Sequence, residues 1–121
     1  MKRSAVLLSM LIIFMGLLWG SCTREQLNSS CTTGNMSYSN NVVPILKNNC
    51  YSCHSTGNSA GSVGILLDNY DRLMIYVNNG YLVADITHMA GFPAMPYMKP
   101  KLDTCSINQI NAWINQGAIN N

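Results

Sequence analysis

The sequence predicts a single small domain of the all-α class. Three observations carry that expectation. Apolar residues recur at helical spacing in three separate segments, around residues 42–50, 65–77 and 107–114. No parallel-sheet pattern runs along the chain, and the stretches between the helical segments are rich in Gly, Pro, Asn and Ser. The length left after an N-terminal leader is removed suits one domain.

The leader is residues 1–21. Lys2 and Arg3 open with positive charge, Ala5–Trp19 is a nearly unbroken apolar run that is short for a membrane span, and Gly20 and Ser21 supply small residues ahead of Cys22. This is the layout of a secretory signal, with a retained anchor helix as the other reading. Small residues followed at once by a cysteine resemble a bacterial lipoprotein cleavage site, with Cys22 as the lipidated first residue. Trp19 stands where that motif usually carries leucine. Either way the chain leaves the cytoplasm for a compartment where disulfides persist. Without Lys2 and Arg3, five basic residues (Arg24, Lys47, Arg72, Lys99, Lys101) face five acidic ones, so the mature chain is near neutral. That balance offers no phosphate-binding surface, and nucleic acid is excluded as a partner.

Thr23–Asn41 is polar with little apolar periodicity, and residues 22–38 read as a tether leading to a domain over 39–121. In NNVVPILKNNC, Val42, Val43, Leu46 and Cys50 fall at helical spacing. Pro44 is tolerable only in a first turn, so this helix is expected to begin near Asn41, with Asn41 as cap. Ser55–Gly64 is a loop by composition. A second helical face carries Leu66, Tyr70, Leu73, Met74 and Val77, with Asp68 as candidate cap. Asn79-Gly80 signals a turn, and the YLVADI after it is ambiguous between strand and helix. His88–Lys101 holds three prolines, three methionines and a glycine, which leaves an extended loop. The last helix is the clearest. Asp103 caps it, Ile107, Ile110 and Ile114 form a stripe widened by Trp113, and Gly117 is placed to end it in a left-handed cap.

Chemistry concentrates in NNCYSCHSTG, residues 48–57, where Cys50, Cys53 and His54 stand as C-x-x-C-H. Covalent attachment of haem needs two thiols that reach two vinyl groups on one edge of the macrocycle. Two intervening residues put both sulfurs on one turn of chain, and the adjacent histidine then reaches the iron. A zinc site wants four ligands, and with these three used only His88 and the remote Cys31 and Cys105 remain. A thioredoxin-like dithiol wants a βαβ setting, whereas a helical pattern precedes this motif. Haem c is therefore the expected cofactor, with one iron.

Of five cysteines, lipid accounts for Cys22 and the motif for Cys50 and Cys53, leaving Cys31 and Cys105 as an even remainder. A disulfide between them would close a loop of roughly 75 residues, worth on the order of 4 kcal/mol by chain entropy; two unpaired buried thiols are the alternative. A carrier of electrons also needs a second axial ligand, for which methionine sulfur is soft and neutral. Met74 sits on a helical face and reads as core. Met89, Met95 and Met98 lie in the long loop. Met95, followed by Pro96, is the first choice and Met98 the second, with Met89, His88 or an open iron position behind them.

With those residues in view, the chain resembles the small mono-haem cytochromes c of the class I fold, of the short bacterial lipoprotein type. The resemblance rests on VVPILKNNCYSCH, GILLDNYDRL, GFPAMPYMKPKLDTC and INAWINQGAINN, and covers roughly residues 31–121. It implies N- and C-terminal helices crossing around a covalent haem, with a Met-bearing loop on the far side. It implies His54 as proximal and Met95 as distal iron ligand, and it supports pairing of Cys31 with Cys105. It places the chain in the periplasm of a Gram-negative bacterium, anchored to a membrane by lipid on Cys22, passing single electrons between redox protein partners. The family often has Gly-Gly between the Met-Pro pair and Lys-Leu, where this chain has Tyr97, Met98 and Lys99, which keeps Met98 as rival.

Ile45, Leu46, Leu66, Tyr70, Leu73, Ile110 and Trp113 are expected to pack around the haem or in the helix crossing. Tyr70, Trp113 and Arg72 are secondary candidates for a haem propionate, with core packing or a solvated surface as their plainer roles. Lys99 and Lys101 flank the ligand loop as candidates for docking an acidic partner. No small-molecule substrate and no catalysis by the protein itself are expected. Two alternatives stand: a five-coordinate haem protein acting as peroxidase-like enzyme or small-gas sensor, and a haem-free dithiol or zinc module.

Overall fold

The computed structural model describes residues 31–59 and 61–121. The expected leader, its cleavage site and Cys22 lie outside the described residues. Within them the protein is all-α, with no strand beyond an isolated bridge between Ser55 and Asn58 and no helix long and apolar enough to cross a membrane.

The first helical stretch starts at Tyr38 rather than near Asn41. Ser37 caps it, its hydroxyl accepting from the Asn40 N–H at 3.3 Å. Asn41 works from inside the turn: its Oδ1 accepts from the Ser37 N–H at 2.9 Å, the return half of a capping box. Tyr38–Val42 is a wide π-type turn that passes into α1, Val43–Asn49. Pro44 accounts for the widening. It has no N–H for the Asn40 carbonyl, and in a regular α-helix its ring would strike that carbonyl.

Residues 31–38, expected as tether, belong to the domain. Met36 and Tyr38 are buried, the Met36 N–H donates to Gln116 Oε1 at 2.8 Å, and Gln116 Nε2 donates to the Thr33 carbonyl at 2.9 Å. Cys31 is bridged to Cys105, Cα–Cα 5.4 Å. The segment is polar because it is a strap whose backbone is satisfied by side chains of the last helix, not because it is solvated on all sides.

α2 spans Tyr70–Asn78. Its cap is Asn69, whose Oδ1 accepts from the Arg72 N–H at 3.2 Å. Asp68 turns the other way and accepts from the Thr56 N–H at 2.6 Å, tying the start of this segment to the loop after His54. The residues before Tyr70 are not helical, so helical spacing fails for them: Leu67 is buried in the core and Leu66 only half-buried. Gly80, at φ 74°, turns the chain into α3, Tyr81–Ile86, so YLVADI is helix.

α4, Thr104–Asn115, follows the expectation at both ends. Asp103 accepts from the Ser106 N–H at 2.9 Å and from the Ser106 hydroxyl at 2.6 Å. Gly117, at φ 97°, ends it: the Gly117 N–H donates to Ile114 O at 3.0 Å and the Ala118 N–H to Trp113 O at 2.9 Å, a Schellman pair.

The core holds Val42, Leu46, Leu73, Ile86, Ile110 and Trp113, all fully buried. The Tyr38 turn packs on α4, α2 on α3, and α3 on α4. Tyr38 stacks on Trp113 with ring centroids 5.7 Å apart, and Tyr70 meets Tyr38 edge-on at 5.2 Å. The polar ends of these rings close the same seam: Tyr70 OH donates to Ala118 O at 2.7 Å and Trp113 Nε1–H to Ile119 O at 3.0 Å. Asn121 completes it by accepting the Tyr38 N–H on Oδ1 and the Ser39 N–H on its carbonyl, both at 2.9 Å, which satisfies donors orphaned at the helix start.

Candidate functional site

α1 ends by folding the C-x-x-C-H segment into a tight turn. The Cys50 and Tyr51 N–H groups both donate to Leu46 O, at 2.7 and 3.0 Å. The Cys53 and His54 N–H groups then both donate to Cys50 O, at 3.0 and 2.9 Å. Cys50 is half-buried, Cys53 exposed, and both are free thiols. Burial pushes the Cys50 thiol up to about 11.

His54 is held from two sides by the extended segment 65–67. Its ring Nδ1 lies 3.1 Å from Ile65 O, and its carbonyl accepts from the Leu67 N–H at 2.8 Å. With Nδ1–H donating to Ile65 O, Nε2 is the ring nitrogen left with a lone pair, the tautomer a metal-binding histidine needs.

These three residues border a cleft of about 580 Å³, within the range of cofactor pockets. Its walls are mostly apolar, from Ile65, Leu67, Tyr76, Leu82, Ile86 and Pro93. Met95 and Pro96 border it too, brought there by the loop after α3. The backbone of Met95 is fixed at both polar groups: its N–H donates to Asp85 O at 3.0 Å, and its carbonyl takes His88 Nε2 at 2.9 Å. Asp85 contributes a carboxyl whose Oδ1 is buried without a hydrogen-bond partner. Burial raises the pKa of that carboxyl above the ordinary carboxylate range.

The structure thus brings Cys50, Cys53, His54 and Met95 to one cleft and leaves the rival methionines elsewhere. Met98 is 88% exposed and does not border it; Met89 is half-exposed; Met74 packs against the core. His88, a remote candidate for the iron, has its Nε2 engaged by the Met95 carbonyl. Tyr70, Trp113, Arg72 and Lys101 do not border the cleft, whereas Lys99 does. Among the described residues no three of His, Cys, Asp and Glu gather as a metal-binding group. Asp85 and the Ile65 carbonyl were not foreseen. An acid inside apolar YLVADI was a visible signal for the first; the second is backbone, which sequence does not mark.

Compared with family models, curated proteins and solved structures, the chain matches none.

Proposed function

We propose that the protein is a mono-haem c-type cytochrome, exported and anchored by lipid at Cys22, that carries single electrons between redox protein partners. The observation that carries this reading is the meeting of Cys50, Cys53, His54 and Met95 at one apolar cleft of cofactor size. The packing of the Tyr38 turn on α4 is also what a cytochrome c-like fold requires of its first and last helices.

The residues fit the group. Cys50 and Cys53 are free to form thioethers, His54 has one ring nitrogen tied and the other available, and Met95 offers a neutral sulfur on a pinned loop. Haem bound there would supply a one-electron iron couple, with His54 and Met95 as the residues that would hold the iron. The chain's own part is to orient and to exclude. Ile65 O fixes the His54 tautomer, Asp85 O and His88 hold Met95 in place, and the apolar walls keep water away.

The test is an absorption spectrum of the haem-loaded protein, oxidised and reduced, beside Met95→Ala. The parent is expected to show the weak far-red sulfur-to-iron band in the ferric state, and Met95→Ala to lose it. Survival of the band in the variant moves the ligand to another methionine. A high-spin parent without the band moves the protein to the five-coordinate class, and failure to attach haem removes the cytochrome reading altogether.

A further inference from the structure

We propose that Asp85 sets the potential of the iron couple from the cleft wall, its unmatched carboxylate favouring the ferric over the ferrous state. This role rests on the haem reading. Nothing in the fold itself calls for an acid at this position. Asp85 stands in α3 between Ala84 and Ile86, both buried, and borders the cleft alongside Leu82, Ile86 and Met95. The structural service of residue 85 is done by its backbone, whose carbonyl accepts from the Met95 N–H at 3.0 Å and from the His88 N–H at 3.2 Å. Any residue offers that carbonyl. An apolar side chain would pack there without the cost of desolvating a carboxylate.

Among the described residues, two buried side-chain polar atoms have no hydrogen-bond partner, Asp68 Oδ1 and Asp85 Oδ1. Asp68 uses its other oxygen to accept the Thr56 N–H at 2.6 Å and does not border the cleft. Asp85 is thus the acid whose unmatched oxygen belongs to the wall of the cofactor-sized cleft. The chain brings no buried positive charge to meet it. Lys99 borders the same cleft but is exposed, where water and salt screen its charge. His54, with Nδ1–H donated to Ile65 O, keeps a lone pair on Nε2 and is neutral.

The matching charge is one that a ligand brings. Ferric haem carries one more positive charge at the iron than ferrous haem. A carboxylate in a low-dielectric wall beside it stabilises the ferric state more than the ferrous, and so lowers the potential. The neutral sulfur of Met95 acts in the opposite direction and raises it. The cleft therefore sets a raising ligand against a lowering charge.

The experiment measures the midpoint potential of the full haem-loaded chain beside Asp85→Asn, Asp85→Ser and Asp85→Glu. Asp71→Asn, an exposed acid in the first turn of α2, is the surface control. Asp85→Asn and Asp85→Ser are each expected to raise the potential by about 59 mV, a tenfold change in the ferric-to-ferrous ratio for one electron. Asp85→Glu keeps the charge and is expected to stay near the parent, and Asp71→Asn to leave the potential unmoved. The shift is expected to persist from about 0.01 to 1 M salt, because a buried charge escapes most screening. A parent-like potential in both neutral variants overturns the proposal. So does an equal shift in Asp71→Asn, which reduces the effect to net charge. Loss of the far-red sulfur-to-iron band in Asp85→Asn overturns it as well, by making the side chain a prop for Met95. A chain that attaches no haem sinks the cytochrome reading and this role together, whereas attached haem with an unmoved potential sinks this role alone.

Discussion

At His88 the backbone is left-handed (φ 56°) and the ring reaches back to the carbonyl of Met95. A bond of this kind is worth about 1 kcal/mol net. His88→Ala is expected to lower stability by about that amount, and its ferrous haem-loaded form to bind carbon monoxide more readily than the parent, because Met95 loses one of its two ties. Equal melting and equal carbon monoxide binding would show that the loop needs no such tie. Cys50 makes a second prediction at this scale. In the haem-free chain with Cys53→Ser, its alkylation rate is expected to keep climbing with pH toward about 11, where burial has moved the thiol. A plateau by roughly pH 9, as for an ordinary thiol, would contradict that burial. The four residues at the cleft were legible in the sequence because each carries distinctive chemistry at short spacing. What holds them was less so, since Ile65 and Asp85 act partly through backbone carbonyls that any residue possesses.

Helices differ in how far local signals decide them. α4 was legible at both ends because its cap, apolar stripe and terminal glycine all lie within its own stretch. α3 was ambiguous because Leu82, Ala84 and Ile86, at alternate positions, are all buried, the period of a strand on a helix of six residues. The start of the first helix escaped prediction because Ser37, Asn41 and the distant Asn121 jointly satisfy its donors. The Asp103 cap carries a pH prediction. The Ser106 hydroxyl, and after it the Ser106 N–H, hold the Asp103 carboxyl below its usual value. A folded pKa under the unfolded one gives stability that is present above the unfolded pKa and lost as pH falls through the folded value. Asp103→Ala is expected to cost about 1 kcal/mol at neutral pH, with parent and variant melting temperatures converging below about pH 4. An offset that stays constant down to about pH 2 would mean that the carboxylate charge plays no part in the cap.

A domain of this size buries only a modest core, and here the core is notched by a cleft of about 580 Å³. The fold answers by tying together segments that do not line the cleft. Asn121 holds the Tyr38 turn, Gln116 holds the 33–36 strap, and Cys31–Cys105 fixes that strap to the first turn of α4. The hydrogen bonds are partly exposed and individually weak, whereas the bridge closes a loop with a sequence separation of 74. By chain entropy such a loop is worth about 4 kcal/mol, a large share of the roughly 5–15 kcal/mol that holds a typical domain. The Cys31→Ser, Cys105→Ser double variant is therefore expected to melt roughly 15–30 °C lower in the haem-loaded protein. Without haem the same variant is expected to lose its cooperative transition, because neither the bridge nor the filled cleft then offsets chain entropy. Calorimetry on the four combinations separates the two contributions. A drop of only a few degrees with haem present, and a cooperative melt without it, would show that the hydrogen-bonded seam closes the domain unaided.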